Sequence, residues 1–247
     1  MNLSSLTVKQ KIIYLKKNNM AQTQDLFIDI QDSEKAIFYR KTYSHVALAI
    51  LLFVVVEYFL LQSETLVNFM LSLTQGYLWL LLLGGFWLAT NFAENLAHKV
   101  SRDMQYLGLG LYVIAEAIIF VPILYIAINF SSPDVLQQAG MVTLFLFVGL
   151  SAVALFTKTD FSFLKSALMI GFFIAIGLIV AGTIFGFDLG LWFSVAMVAL
   201  AAGTILYQTS KLKYEYQPDQ YVGAAVGLFA SFMLLFWYVL RIFMSRD

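Results

Sequence analysis

In the stretch "YVIAEAIIFVPIL", Glu116 sits between apolar residues on both sides, and Pro122 follows six positions later. A carboxyl group in such surroundings is costly when charged, so it must be protonated, paired or beside water. Two readings stay open: a step on a transport or proton path, or a neutral acid hydrogen-bonded inside the protein. Pro122 has no N–H and frees a carbonyl one turn back, so a helix kink is expected there. Glu57, in "VVVEYFLLQ", is a second acid in an apolar run. It lies near the end of that run, where an interfacial position accounts for it.

Other polar groups offer less chemistry. "NFAENLAH" puts Asn91, Glu94 and His98 on one helical face. One acid and one histidine are too few for a metal centre, so a solvated helix cap is expected and no metal. The chain has no HExxH pattern and no phosphate-binding glycine loop. Around Ser151, the segment from Gly149 to Val153 lacks the second glycine of a nucleophile elbow, and no histidine is placed to serve that serine. No lysine in the last apolar run can form a Schiff base with retinal. Cysteine is absent, which removes disulfides, iron–sulfur ligation and thiol catalysis. The expectation is a protein that is not an enzyme and carries no cofactor.

The elements that must position these groups are membrane helices. Hydrophobic residues make up 61% of the 247, charged residues 12%, and the mean hydropathy is +0.82. A soluble domain is about 45–50% apolar and about 25% charged. Net charge is zero, so there is no basic footprint for nucleic acid. Seven runs approach the roughly 20 residues that a helix needs to cross a bilayer. They fall at about 44–62, 75–92, 105–130, 135–157, 163–185, 189–207 and 221–243. Helices are required because unpaired backbone groups are too costly in lipid, and the alternation of barrel strands is missing. The expected class is an all-α integral membrane protein of seven transmembrane helices (residues 44–247) behind a tail of residues 1–43. That tail has a lysine-rich start without a signal-peptide core, and its "QDLFIDI" patch reads as a short interfacial helix or as disorder.

Basic residues orient the chain. Of the 15, all but Arg241 and Arg246 fall in the tail, the even-numbered loops or just beside them, among them Lys99, Arg102, Lys158, Lys165, Lys211 and Lys213. The positive-inside rule puts that face in the cytoplasm, with the N-terminus inside and the C-terminus outside. Small residues recur at four-residue spacing, as in Gly223 and Gly227, which lets helices approach closely.

Four segments carry a resemblance: "TKTDFSFLKSALMIG", "ILYQTSKL", "AEAIIFVPILYI" and "YVGAAVGLFASFMLLFWYVLRIF". In order and spacing they resemble the Bax inhibitor-1 family (the transmembrane Bax inhibitor motif proteins) over about residues 36–247. Thr209, Ser210, Ser231 and the terminal Ser245-Arg246-Asp247 are most similar to its bacterial YccA-type branch. The resemblance implies six helices around a central seventh. It also implies a cytoplasmic latch of two aspartates sharing a proton, and a pH-sensitive calcium leak. The latch positions correspond to Gln208 and Ser231, neither of which titrates near neutral pH, so a leak here would lack the family's steep dependence on cytoplasmic pH. The basic partner of the latch is expected at Lys99 or Arg102. Two functions follow from the resemblance. One is a cation leak with calcium as the transported ion. The other, slightly preferred, is a modulator of membrane protein quality control and stress response. Such a modulator would hold an FtsH-type membrane-anchored AAA protease through its tail, in a bacterial inner (plasma) membrane.

Overall fold

The computed structural model describes the backbone of residues 8–245 and the side chains of residues 33–245. Arg246 and Asp247 of the terminal motif lie outside the described residues, as do the side chains of the "QDLFIDI" patch. Among the described residues every regular element is helical: α1 (Val8–Leu60), α2 (Glu64–Leu73), α3 (Leu78–Ala97), α4 (Arg102–Phe130), α5 (Val135–Phe156), α6 (Leu164–Phe185), α7 (Gly190–Tyr214) and α8 (Tyr221–Met244). One 3-10 turn, Phe161–Phe163, precedes α6. Helix α1 passes the expected boundary at residues 43 and 44 without a break.

Six of these helices are long and apolar enough to cross a membrane, or seven if α2 and α3 count as one broken span. The expected seven spans are reached only when that bent pair is counted as one. Residues 64–73, read from sequence as part of a loop, form α2, which meets α3 at 107°. The cause is visible in the residues. Ser63 caps α2 by accepting from the Leu66 N–H. Val67 and Met70, at helical spacing, bury themselves against Val121 of α4. Gly76 then takes φ +54°, a left-handed backbone that turns the chain into α3. Helix α3 in turn carries Asn91, Glu94 and Asn95 in its last turns.

Helix α8 occupies the centre. Residues Val222–Phe229 are buried without interruption, on every side of the helix. It packs against α1, α3, α4, α5 and α7. Helix α6 stands further out: it packs on α7, and only Ala175 and Gly182 of its residues are buried. The helices around this central one are unevenly placed, with α6 peripheral and α2–α3 bent. Large apolar side chains such as Leu51, Leu81, Phe145, Phe173 and Trp192 cover the outside, as a lipid environment requires. Helix α4 runs through Pro122 as one helix, and most of its second half is buried.

Helices α3 and α4 meet with almost no side chain between them. A Cβ on Gly108 would strike the backbone of Ala97 and lie 2.5 Å from the Ala93 carbonyl oxygen. Backbone cannot yield as a flexible side chain can, so Gly108→Ala should destabilise the protein by about 1–3 kcal/mol. Gly110, with open space around it, is the control. Thermal melts of both purified variants check this: a large drop is expected for Gly108→Ala alone, and equal melting would refute the close crossing.

Candidate functional site

A cavity of about 690 Å³ lies between α3, α4, α6, α7 and α8. At the end of the bundle that carries Lys99, Lys158 and Lys211, it is lined by Glu94 and Gln208. Towards the opposite end it is lined by Thr74, Gly76, Asp188 and Arg241. From Val226 to Arg241 it follows α8 for about 22 Å at the α-helical rise. That is most of a hydrocarbon core about 30 Å thick. Between Val222 and Leu240 the residues of α8 that are less than fully buried are Ala230, Leu234 and Trp237, and all three line this cavity. Over this stretch the partly exposed side of the central helix is the side that lines the cavity. Trp79 stacks on Trp237 at 6.3 Å and Phe120 meets Trp237 edge-on at 4.9 Å, forming an aromatic wall along its path.

Both latch-equivalent residues line the cavity and share one seat on α8. The side chain of Gln208 lies flat over Gly227, so that a Cβ there would come within 2.9 Å of its Oε1. Ser231 donates its hydroxyl to the Gly227 carbonyl at 2.9 Å. No hydrogen bond joins the two, and Gln208 Oε1 is buried without a partner. His98 rests in the same way on Gly223, one turn along the helix. The pair spaced by four in the sequence is therefore a real contact surface.

Of the other candidates, Glu116 is 6% exposed and lines the cavity. It takes part in none of the side-chain hydrogen bonds of the described residues. Glu57 is 4% exposed and neither of its oxygens has a partner. The interfacial position expected for it is corrected: α2 folds back over Leu60 and Leu61 and covers that end of α1. Arg102 donates to Gln105 Oε1 at 2.6 Å and to the Asp219 carbonyl at 2.9 Å, and stands 4.4 Å from the Tyr221 ring centre. It ties the loop after α3 to the start of α8. Lys99 offers its carbonyl to Gln105 Nε2 at 2.7 Å. Of these two basic candidates, Arg102 is the one that holds α8.

A second polar assembly escaped the sequence reading. Ser210 donates to Asp160 Oδ1 at 3.0 Å and accepts from the Phe161 N–H at 2.9 Å. Lys213 Nζ donates to the Thr157 carbonyl at 2.6 Å. The end of α7 thereby clamps the loop between α5 and α6, joining the "TKTDFSF" and "QTSKL" segments. Hydrogen bonds from the Ser162 hydroxyl and N–H, helped by Ser210 and by the charge of Lys213, hold the Asp160 carboxyl below its ordinary value of 3.8.

Four sequence similarities bear on what the chain is. The family profile described as inhibitor of apoptosis-promoting Bax1 matches residues 35–247. Protein lifeguard 4 of Mus musculus is 27% identical over 208 residues, 83% of this chain and 83% of its own length. Bax inhibitor 1 of Schizosaccharomyces pombe is 27% identical over 173 residues, covering 68% of this chain and 62% of its own length. An uncharacterized protein of Pseudomonas aeruginosa is 34% identical over 111 residues, 44% of this chain; the match spans half the length of that relative.

The clamp has a pH consequence. A carboxylate held below its ordinary value adds stability that is complete above the unfolded value of about 3.9 and is lost as pH falls through the lowered one. Melting temperature should therefore fall more steeply on the acid side, between about pH 5 and pH 3, in the wild-type protein than in Asp160→Asn. Parallel acid limbs would show that Asp160 is not held in this way.

Proposed function

This chain belongs to the Bax inhibitor-1 family, and on that premise we propose that it is a cation-leak protein of the membrane, with calcium as the transported ion. The observation that carries the reading is the cavity alongside α8, which reaches both Gln208 and Ser231 and contains the buried Glu116. A path for a hard divalent cation needs oxygen ligands. The cavity offers the carboxyls of Glu94 and Glu116, the amide oxygen of Gln208 and the hydroxyls of Tyr112, Thr204 and Ser231. The gate is the seat of Gln208 on Gly227, and it is built from groups that do not titrate. The basic end, with Lys99, Lys158 and Lys211, is placed in the cytoplasm of a bacterium, and the protein carries out no chemical reaction.

A second reading is restraint of an FtsH-type membrane-anchored AAA protease during stress, by a protein of the YccA-type branch. It is favoured by α1, which continues as helix from Val8 into its apolar run and so supplies a long segment ahead of Ser33 for a partner to hold. Removing residues 1–32 should abolish copurification with the protease on this reading.

Reconstitution in calcium-dye-loaded liposomes tests the first reading. The wild-type protein should conduct calcium, and Gln208→Asp combined with Ser231→Asp should add a steep pH step to the flux, because two close carboxyls cannot both ionise cheaply. Flux no greater than from empty liposomes, or a double variant with the wild-type pH profile, would overturn it.

A further inference from the structure

Two acids, Glu94 and Glu116, line the basic half of the cavity. Glu94 stands on α3 at the cavity rim and is exposed. Glu116 stands on α4 and is more than nine-tenths buried. Between them lies Tyr112, one helical turn before Glu116 on the same helix and within electrostatic reach of both carboxyls. All three line the cavity that Gln208 and Ser231 line from the α7 and α8 side. Glu116, 6% exposed, takes part in none of the side-chain hydrogen bonds of the described residues, and the Gln208 amide oxygen is a fully buried acceptor without a partner. A buried carboxyl without a partner is expensive unless something positive comes to it. Structural acids normally have their hydrogen bonds made for them. This one is left free and turned towards open space.

We propose that Glu94, Tyr112 and Glu116 form a carboxylate ladder that takes divalent cations in two steps into the cavity along its α3 and α4 side. Glu94 receives the ion at the rim, where charge is cheap. Tyr112 offers its hydroxyl oxygen on the way. Glu116 supplies the deep charge, facing the Gln208 oxygen across the cavity. Among the described residues no three His, Cys, Asp or Glu side chains converge. The arrangement therefore suits an ion in transit better than a closed cage, which would need six to eight oxygens. The charged residues lining the far end, Asp188 and Arg241, do not belong to the ladder. The spacing of Gly108 against Ala97 and Ala93 fixes α3 on α4 and hence the height of Glu94 relative to Glu116.

The ladder rests on the cation-leak reading, so its test separates binding from flux. Terbium(III) serves as a calcium probe, since excitation of nearby tyrosine or tryptophan sensitises its luminescence. In detergent, the wild-type protein should bind terbium in a form that calcium displaces. Glu116→Gln should weaken that binding about tenfold or more, as one anionic ligand is lost. Glu94→Gln should weaken it less, and Glu116→Asp should restore part of it. In liposomes, both Gln variants should slow calcium flux. Binding lost in Glu116→Gln while the wild-type protein shows no flux would keep the ladder and end the leak reading. Flux and terbium binding unchanged in both Gln variants would end the ladder and keep the leak. If Glu116→Gln does not fold, Glu94→Gln at the exposed rim decides: unchanged binding and flux there overturn the proposal.

Discussion

The structure depends on how closely other elements approach the backbone of α8. Gln208 lies on Gly227 and His98 on Gly223, each where a Cβ would come within about 3 Å of the ring or amide. Apolar burial drives little association inside lipid, so packing at such small residues must hold a central helix in place. The rest of α8 is filled by Val222, Val226, Leu228, Phe229, Met233, Leu235 and Leu240, each at most 1% exposed. Once those faces are closed, one stripe of the helix remains, and it faces the cavity.

Polar groups fall into two populations. At the basic end they are paired. Arg102 reaches Asp219, Ser210 reaches Asp160, and Lys213 reaches Thr157. These contacts bind the loops after α3 and α5 to the ends of α7 and α8, so the helices that line the cavity are held from one side. Within the bundle, both Glu57 oxygens and the Gln208 amide oxygen are buried without partners among the described residues, and Gln208 lines the cavity. A protein built only for stability would satisfy or remove such groups, because leaving one unpaired costs about 1–3 kcal/mol.

Much of this was legible in the sequence, and the reasons differ by element. The last five spans follow from length and apolarity alone; 221–243 corresponds to Tyr221–Met244, and 135–157 to Val135–Phe156. Helix α7 runs on to Tyr214 beyond its apolar run, since leaving lipid does not end a helix in which Lys211 and Lys213 suit the C-terminal dipole. Helix α2 was missed because ten residues are too few to span, although Leu66, Val67, Met70 and Leu71 show its spacing. Its fold over the end of α1 also buries Glu57, which no local pattern encodes. Gln208 and Ser231 were found through resemblance. The Ser210–Asp160 clamp was not, because its partners lie 50 residues apart and meet only when the loop between α5 and α6 folds back.

The central claim is that the cavity beside α8 is reached by water as far as Ser231. The chain has no cysteine, so a single one can be placed at will. Ser231→Cys faces the cavity, while Leu228→Cys, on the same helix, lies in packed core at 0% exposure. A small, charged thiol reagent that does not cross membranes should label Ser231→Cys roughly ten times faster or more, since thiol reactivity follows access. Equal and negligible labelling at both positions, in protein that still folds, would contradict it.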